Sequence, residues 1–225
     1  MQKYKFTGET KEVYGRTLHQ IVCVTAFASV AAGEVGGYIE KEVNLSQDGN
    51  AWVFGNAWVF GNAWVFGDAK VFGDAKVSGN AWVFGDAKVF GDAKVFGDAK
   101  VSGNAWVFGD AKVSGNAEVF GDAKVFGDAK VFGDAILRRG STETATDYIV
   151  IGPQGSRWSF ATLHLPSNTV CTGCFVGDLN EFKVAVSTSH NPNHCDDCKS
   201  FNEQYQRVIQ VFEFYAKDRQ DKDVQ

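Results

Sequence analysis

The stretch GDAKVFGDAKVF, residues 85–96, is two copies of one six-residue unit, and that unit decides the fold. The unit runs without insertion from Gly49 to Arg138, fifteen times over 90 residues. Its forms are GNAWVF, GDAKVF, GDAKVS and GNAEVF, and the last copy reads GDAILR. A period of six is not helical, and a Gly with a β-branched Val in nearly every unit argues against a helix. In an extended segment Ala and Val, two residues apart, share one face. They are the predicted core. The residue between them and the residue after Val point outward. Gly-Asn and Gly-Asp supply the corners, where a positive φ is cheap.

The V-F-G-D-A-K unit resembles the hexapeptide repeat of left-handed parallel β-helices. The resemblance implies three hexads per triangular coil, an aliphatic and a small residue inside, and a left-handed path that departs from the usual crossover hand. Fifteen hexads then make five coils stacked by about 4.8 Å. The expected fold is mainly β, a left-handed parallel β-helix with an N-terminal cap and a small C-terminal α+β domain. The divisions are 1–48 for the cap, 49–138 for the helix and 139–225 for the C-terminal domain.

Hexads three apart stack on one side of the prism. One side carries Phe54, Phe72, Phe90, Phe108 and Phe126 without interruption. The second alternates Phe60, Ser78, Phe96, Ser114 and Phe132, and the third carries Phe66, Phe84, Ser102, Phe120 and Arg138. An unbroken phenylalanine row exceeds the apolar patch most monomers expose. It predicts a homo-oligomer, a trimer being favoured, through Phe54, Phe72, Phe90, Phe108 and Phe126. Every Lys of the repeat shares its hexad with Asp and every Trp with Asn. Stacked Asp74, Asp92, Asp110 and Asp128 repel by roughly 1 kcal/mol per neighbouring pair. The parallel row Lys76, Lys94, Lys112 and Lys130 offsets that.

Before the repeat, GGYIEKEVNLSQDGN (residues 36–50) resembles the N-terminal cap of hexapeptide-repeat proteins from enterobacteria and phages. Residues 21–33 (IVCVTAFASVAAG) have the look of a signal-peptide core, but the acidic, long segment before them favours a folded strand. After Arg139 the composition shifts. Residues 148–152 and 157–164 read as strands and 152–156 as a turn. Asp178 starts a helix, and Ser200–Glu203 is a capping box for a second. Its stripe is Phe201, Tyr205, Val208, Phe212 and Tyr215. The GCFVGDLNEF…SH run resembles a module that ends many phage and prophage proteins.

Composition narrows function. The 22 basic and 27 acidic residues give a net charge of −5, so nothing global draws the chain to DNA or an anionic membrane. No stretch reaches the roughly 18 apolar residues of a transmembrane helix, and a cytoplasmic home is expected, that of the host cell if the chain is phage-encoded. Acyltransferases are well-known owners of this β-helix, and they use a His base near a loop. Carbonic anhydrases on it use three His ligands. The repeat has no loop, and no His stands between His19 and His164. An acyltransferase-like enzyme is therefore disfavoured, and no catalytic residue is assigned.

Cys171-x-x-Cys174 and Cys195-x-x-Cys198 match the spacing of a structural zinc site, with His190 and His194 as alternative ligands. Buried or incidental thiols are the plain alternative, and a Cys174–His190 dyad is a third reading. Adjacent Arg138 and Arg139, with Arg157 and Trp158 a hairpin later, could grip phosphate and stack on a base. Pairing of these arginines with Glu143 and Asp147 is the structural alternative. The expected function is non-catalytic binding: a phage-type protein that counters a host bacterial defence, by sequestering a nucleotide-derived signal or by blocking a defence protein. The alternative is a structural or assembly protein without a small ligand.

Overall fold

A computed structural model of the chain describes residues 2–144, 146–154, 159–173, 175–190 and 196–223. The repeat forms a β-solenoid. Each hexad gives one two-residue strand, such as Trp52–Val53 or Lys88–Val89. Each strand pairs in parallel with the one three hexads on: Trp52 with Lys70, Trp58 with Lys76, Trp64 with Trp82. Three parallel sheets result. Every Ala and Val of the repeat, from Ala51 to Ala135, is at most 1% exposed. The interior is therefore filled, with no channel along the axis. The corner glycines hold φ between +56° and +73°. A Cβ at Gly79 would also stand 2.8 Å from the Gly97 nitrogen in the next coil. Both the dihedral and the spacing demand glycine there.

The solenoid has about six turns, because it extends beyond the repeat at both ends. Val35–Ile39 pairs in parallel with the strand of Trp58, and Leu45 bridges to Val65. At the other end Ser141–Thr142 pairs with Lys124–Val125. Thr142 takes the inward position of a repeat Val and is 1% exposed. The corner before it, through Arg138, Arg139 and Gly140, is one residue shorter than in the hexads. The Gly36-Gly37 pair has a packing cause: a Cβ on Gly36 would lie 2.7 Å from the Val53 carbonyl oxygen, and one on Gly37 2.6 Å from that of Ala57.

The cap is an antiparallel hairpin, Tyr4–Val13 and Arg16–Cys23, added to the strand Val35–Ile39. Residues 21–33 belong to it, with Ile21, Cys23 and Val30 buried. Repeat amides donate toward the following coil, as Trp52 N does to Ala69 O. The first coil is thus left with unpaired carbonyls, which would be costly if buried. Lys3 Nζ donates to Ala51 O at 3.0 Å, and Asn44 Nδ2 donates to Ala63 O at 2.8 Å. Burial pulls the Lys3 pKa down to about 8, against the raising effect of Asp48.

The far end is closed by a four-stranded antiparallel sheet, Tyr148–Gln154, Ser159–His164, Thr169–Thr172 and Phe175–Asp178. One face meets the last coil. The other buries Ala161, Leu163 and Val170 against helices α1 (Leu179–Ser189) and α2 (Asp196–Asp223). Asp178 caps α1 as expected, accepting from Glu181 N at 2.8 Å. The α2 start differs from expectation: the helix begins at Asp196, so Ser200–Glu203 lies inside it. Its buried stripe is Tyr205, Val208, Ile209 and Phe212, while Tyr215 is exposed. Among the described residues no helix is long and apolar enough to cross a membrane.

Candidate functional site

The C-terminal unit contains a recess of about 520 Å³ between its sheet, α1 and α2. Phe175, Phe182, Tyr205 and the His190 ring give it aromatic walls, and Ser159, Thr172 and Ser189 give it hydroxyls. Local sequence explains the placement. The Asp178–Glu181 capping box fixes the entry of α1, whose buried side carries Leu179, Phe182 and Val186. His190 ends α1, and Asn202 Nδ2 of α2 donates to its carbonyl at 2.9 Å. The His190 ring lies 5.2 Å from that of Tyr205, nearly parallel, and Phe182 meets Tyr205 edge-on at 5.9 Å.

Thr172 is the unusual member. It is 7% exposed, and its Oγ1 has no hydrogen-bond partner among the described residues. An unpaired buried hydroxyl costs about 1–3 kcal/mol, so a guest offering a polar atom there gains that back. No Asp, Glu, Lys or Arg lines the recess among the described residues. The part of a guest it encloses must then be neutral, because burying an unpaired charge is far costlier. A planar ring with polar edge atoms fits such walls.

Arg138 and Arg139 of the predicted arginine site lie on the solenoid side of the sheet, away from this recess. Residues directly opposite in an antiparallel pair share a face. Cys171 stands opposite Thr162, and Thr162 Oγ1 accepts from Ile136 N in the last coil. That face belongs to the solenoid, whereas Thr172 and Ala161 point to the helices. Arg138 meets Cys171 through its backbone, on the solenoid face, and its guanidinium lies 5.6 Å over the Phe120 ring. Arg138 and Arg139 are both exposed. The predicted acidic partner Asp147 pairs instead with Arg219, at 2.7 Å. Arg157 and Trp158 lie outside the described residues; the next residue, Ser159, lines the recess.

Of the four cysteines of the predicted zinc set, the described residues include Cys171 and Cys198. Cys171 is a free, buried thiol on the solenoid face. Burial pushes its pKa up, more than the Arg138 backbone and the two guanidinium charges pull it down. Cys198 lies in α2 and is disulfide-bonded. A disulfide sulfur is not the thiolate a zinc site needs. Cys174 and Cys195 lie outside the described residues, as does His194.

The outward columns follow the expected register. Phe72, Phe90, Phe108 and Phe126 stack face to face, with centroids 4.7, 4.9 and 5.2 Å apart and ring planes within 9°. Phe54 meets Phe72 edge-on at 6.5 Å. Mutual stacking leaves these rings half-buried, with their edges forming the outward strip. Sequence reading missed a hydrogen-bonded column at the corners. Asn Nδ2 donates to the Asp Oδ1 one coil on at Asn50–Asp68, Asn80–Asp98, Asn104–Asp122 and Asn116–Asp134. On the remaining corner Asp74, Asp92, Asp110 and Asp128 follow one another and share a trough with Lys76, Lys94, Lys112 and Lys130. None of these lysines comes within ion-pair distance of an aspartate.

No family profile matches the chain. The chain is similar to a protein described as the uncharacterized acetyltransferase YdcK of Escherichia coli strain K12, 39% identical over 51 residues. That match covers 23% of this chain and spans 15% of the length of the Escherichia coli protein.

Proposed function

We propose that this chain is a non-catalytic binding protein, in which the solenoid is a rigid scaffold and the C-terminal recess holds the ring of a nucleotide-derived ligand. The observation that carries the reading is the unpartnered Thr172 Oγ1 in a neutral, aromatic-walled recess. Such a wall takes a base by stacking and leaves its phosphates outside. The filled Ala–Val interior supports a scaffold role for the coils, and the His-free repeat supports the absence of acyl-transfer chemistry there. The phage-like ends favour a role in countering a host bacterial defence, in the cytoplasm of the infected cell.

The test is native mass spectrometry of the protein taken directly from cell lysate. A retained mass of a few hundred daltons that absorbs near 260 nm is expected. Turnover of an acyl donor by the purified protein would instead favour the enzyme reading. A second reading, assembly without a small ligand, draws on the continuous edge of the Phe54–Phe126 row. In that reading the row joins copies of the chain, a trimer being favoured.

A further inference from the structure

Trp52 is fully buried under the cap, and the other solenoid tryptophans divide into two kinds. Trp58 has Lys76 Nζ 4.3 Å from its ring and Lys11 Nζ at 5.2 Å. Trp106 has Lys88 at 4.7 Å and Lys124 at 5.3 Å. Lys76, Lys88 and Lys124 are ladder neighbours of the indoles they cover. Trp64 and Trp82 are ladder neighbours of each other, edge-on at 6.0 Å, and 39% and 42% exposed. No cation stands over either among the described residues. The register does place Lys100 beside Trp82, but its Nζ turns away to Glu118 at 3.0 Å. Glu118 is the one acidic residue at that position of the repeat.

The two indoles form one wall of an open groove of about 570 Å³, and Glu42, Val43 and Leu45 of the cap line it too. Trp64 is held by stacking on Phe66 at 4.1 Å, and Phe66 on Phe84 at 4.8 Å, so the wall is rigid. Glu42 makes no ion pair among the described residues.

We propose that this groove binds an arginine side chain of a partner protein. A guanidinium stacks on an indole face, is attracted by its quadrupole and pairs with a carboxylate such as that of Glu42. Its aliphatic stem covers apolar surface, here Val43, which is 69% exposed. The groove is open along one side and encloses nothing, which suits a side chain delivered by a larger surface. It lies at the cap, remote from the C-terminal recess, and its fate is independent of the nucleotide reading.

The experiment follows the indole N–H signals of the full-length protein by NMR during titration with the blocked peptide acetyl-Gly-Arg-Gly-amide. The same peptide with citrulline, a neutral isostere, is the control. Saturable shifts confined to Trp64 and Trp82 are expected with arginine and not with citrulline. Glu42→Gln should weaken binding about two- to fivefold. Glu118→Gln, outside the groove, should weaken it by a similar factor, because the released Lys100 then competes for Trp82. Equal shifts with citrulline, no shift at all, or full binding in Glu118→Gln would each overturn the proposal. Circular dichroism of both variants checks that the coils persist.

Discussion

The Tyr148 hydroxyl donates to the Lys130 carbonyl at 2.8 Å and accepts from the Phe132 amide at 3.2 Å. One phenol thereby pairs both backbone groups at the open edge of the last strand of its sheet. The other two sheets are closed the same way. Thr162 Oγ1 accepts from Ile136 N at 3.0 Å, and His164 Nε2 reaches Ser141 O at 3.2 Å. A solenoid end without such partners is a template for edge-to-edge association. The C-terminal sheet therefore serves as a cap with three polar side chains, one for each side of the prism.

Tyr148→Phe should cost about 1–3 kcal/mol, since it leaves two backbone groups unpaired in a half-dry junction. Hydrogen exchange should speed up at Phe132 and its neighbours and stay slow at mid-solenoid amides such as Lys94. Uniform acceleration along all coils would show that the cap is not a local device.

His164 makes the junction pH-sensitive. Its Nε2 carries the proton that reaches the Ser141 carbonyl, and Nδ1 lies 2.6 Å from the Ser167 hydroxyl, which itself donates to Thr169 Oγ1. Burial holds its pKa below the ordinary 6.5, against the raising effects of Ser141 and Asp147. The fold thus favours the neutral ring. Its contribution is complete above pH 6.5 and is lost as pH falls through the depressed native value. The melting temperature should drop between pH 6.5 and 5, with a shallower drop in His164→Gln. Equal slopes for the two proteins would contradict this.

The corner columns predict an uncommon stabilising change. Asp92→Asn would provide an Nδ2 for Asp110, as Asn80 does for Asp98, and would remove one carboxylate from a run of four. A gain of about 0.5–1.5 kcal/mol is expected. The reverse change, Asn116→Asp, should lose a similar amount by setting like charges against Asp134. Thermal melts at low salt check both, and a loss in Asp92→Asn would rule the bridge out.

Much of the architecture was legible because a period of six with Ala and Val two apart states the inward face directly. The Phe72–Phe126 stack followed from the same arithmetic. The Asn–Asp columns were half visible: the pairing of Asn with Trp and Asp with Lys was plain, but the bond runs between hexads three apart. The N-terminal cap was legible by resemblance, but the polar contacts that close the C-terminal end were not. Tyr148, Thr162 and His164 belong to strands of ordinary composition, and their roles arise only where the sheet meets the last coil. The recess was missed for the same reason. His190 stood out in the sequence, but Thr172 is one hydroxyl in a strand, and only its lack of a partner marks it.

The cysteine arrangement predicts a low metal content. Protein purified with zinc supplied should carry well under one zinc per chain, because Cys171 is buried on the solenoid face and Cys198 is disulfide-bonded. One zinc per chain, lost in Cys198→Ser, would restore the four-thiolate site.

Oligomeric state separates the second functional reading from the first. If the Phe edge joins copies of the chain, Phe72→Ser with Phe90→Ser and Phe108→Ser should convert the assembly seen by light scattering to a monomer. Circular dichroism should still report the coils, although the melting temperature falls with the lost stacking. A wild-type monomer at micromolar concentration would remove this reading.

The most direct test of the binding claim is calorimetric titration with mononucleotides, cyclic dinucleotides and cyclic ADP-ribose-type molecules, on the wild type and on Thr172→Val. Saturable binding of at least one of them at one site per chain is expected. Thr172→Val should lose about five- to a hundredfold in affinity, the worth of a buried hydrogen bond, and Arg138→Ala with Arg139→Ala should change little. Affinity untouched by Thr172→Val but lost with the two arginines would place the site at the last corner of the solenoid, and no binding to any of these molecules would contradict the claim altogether.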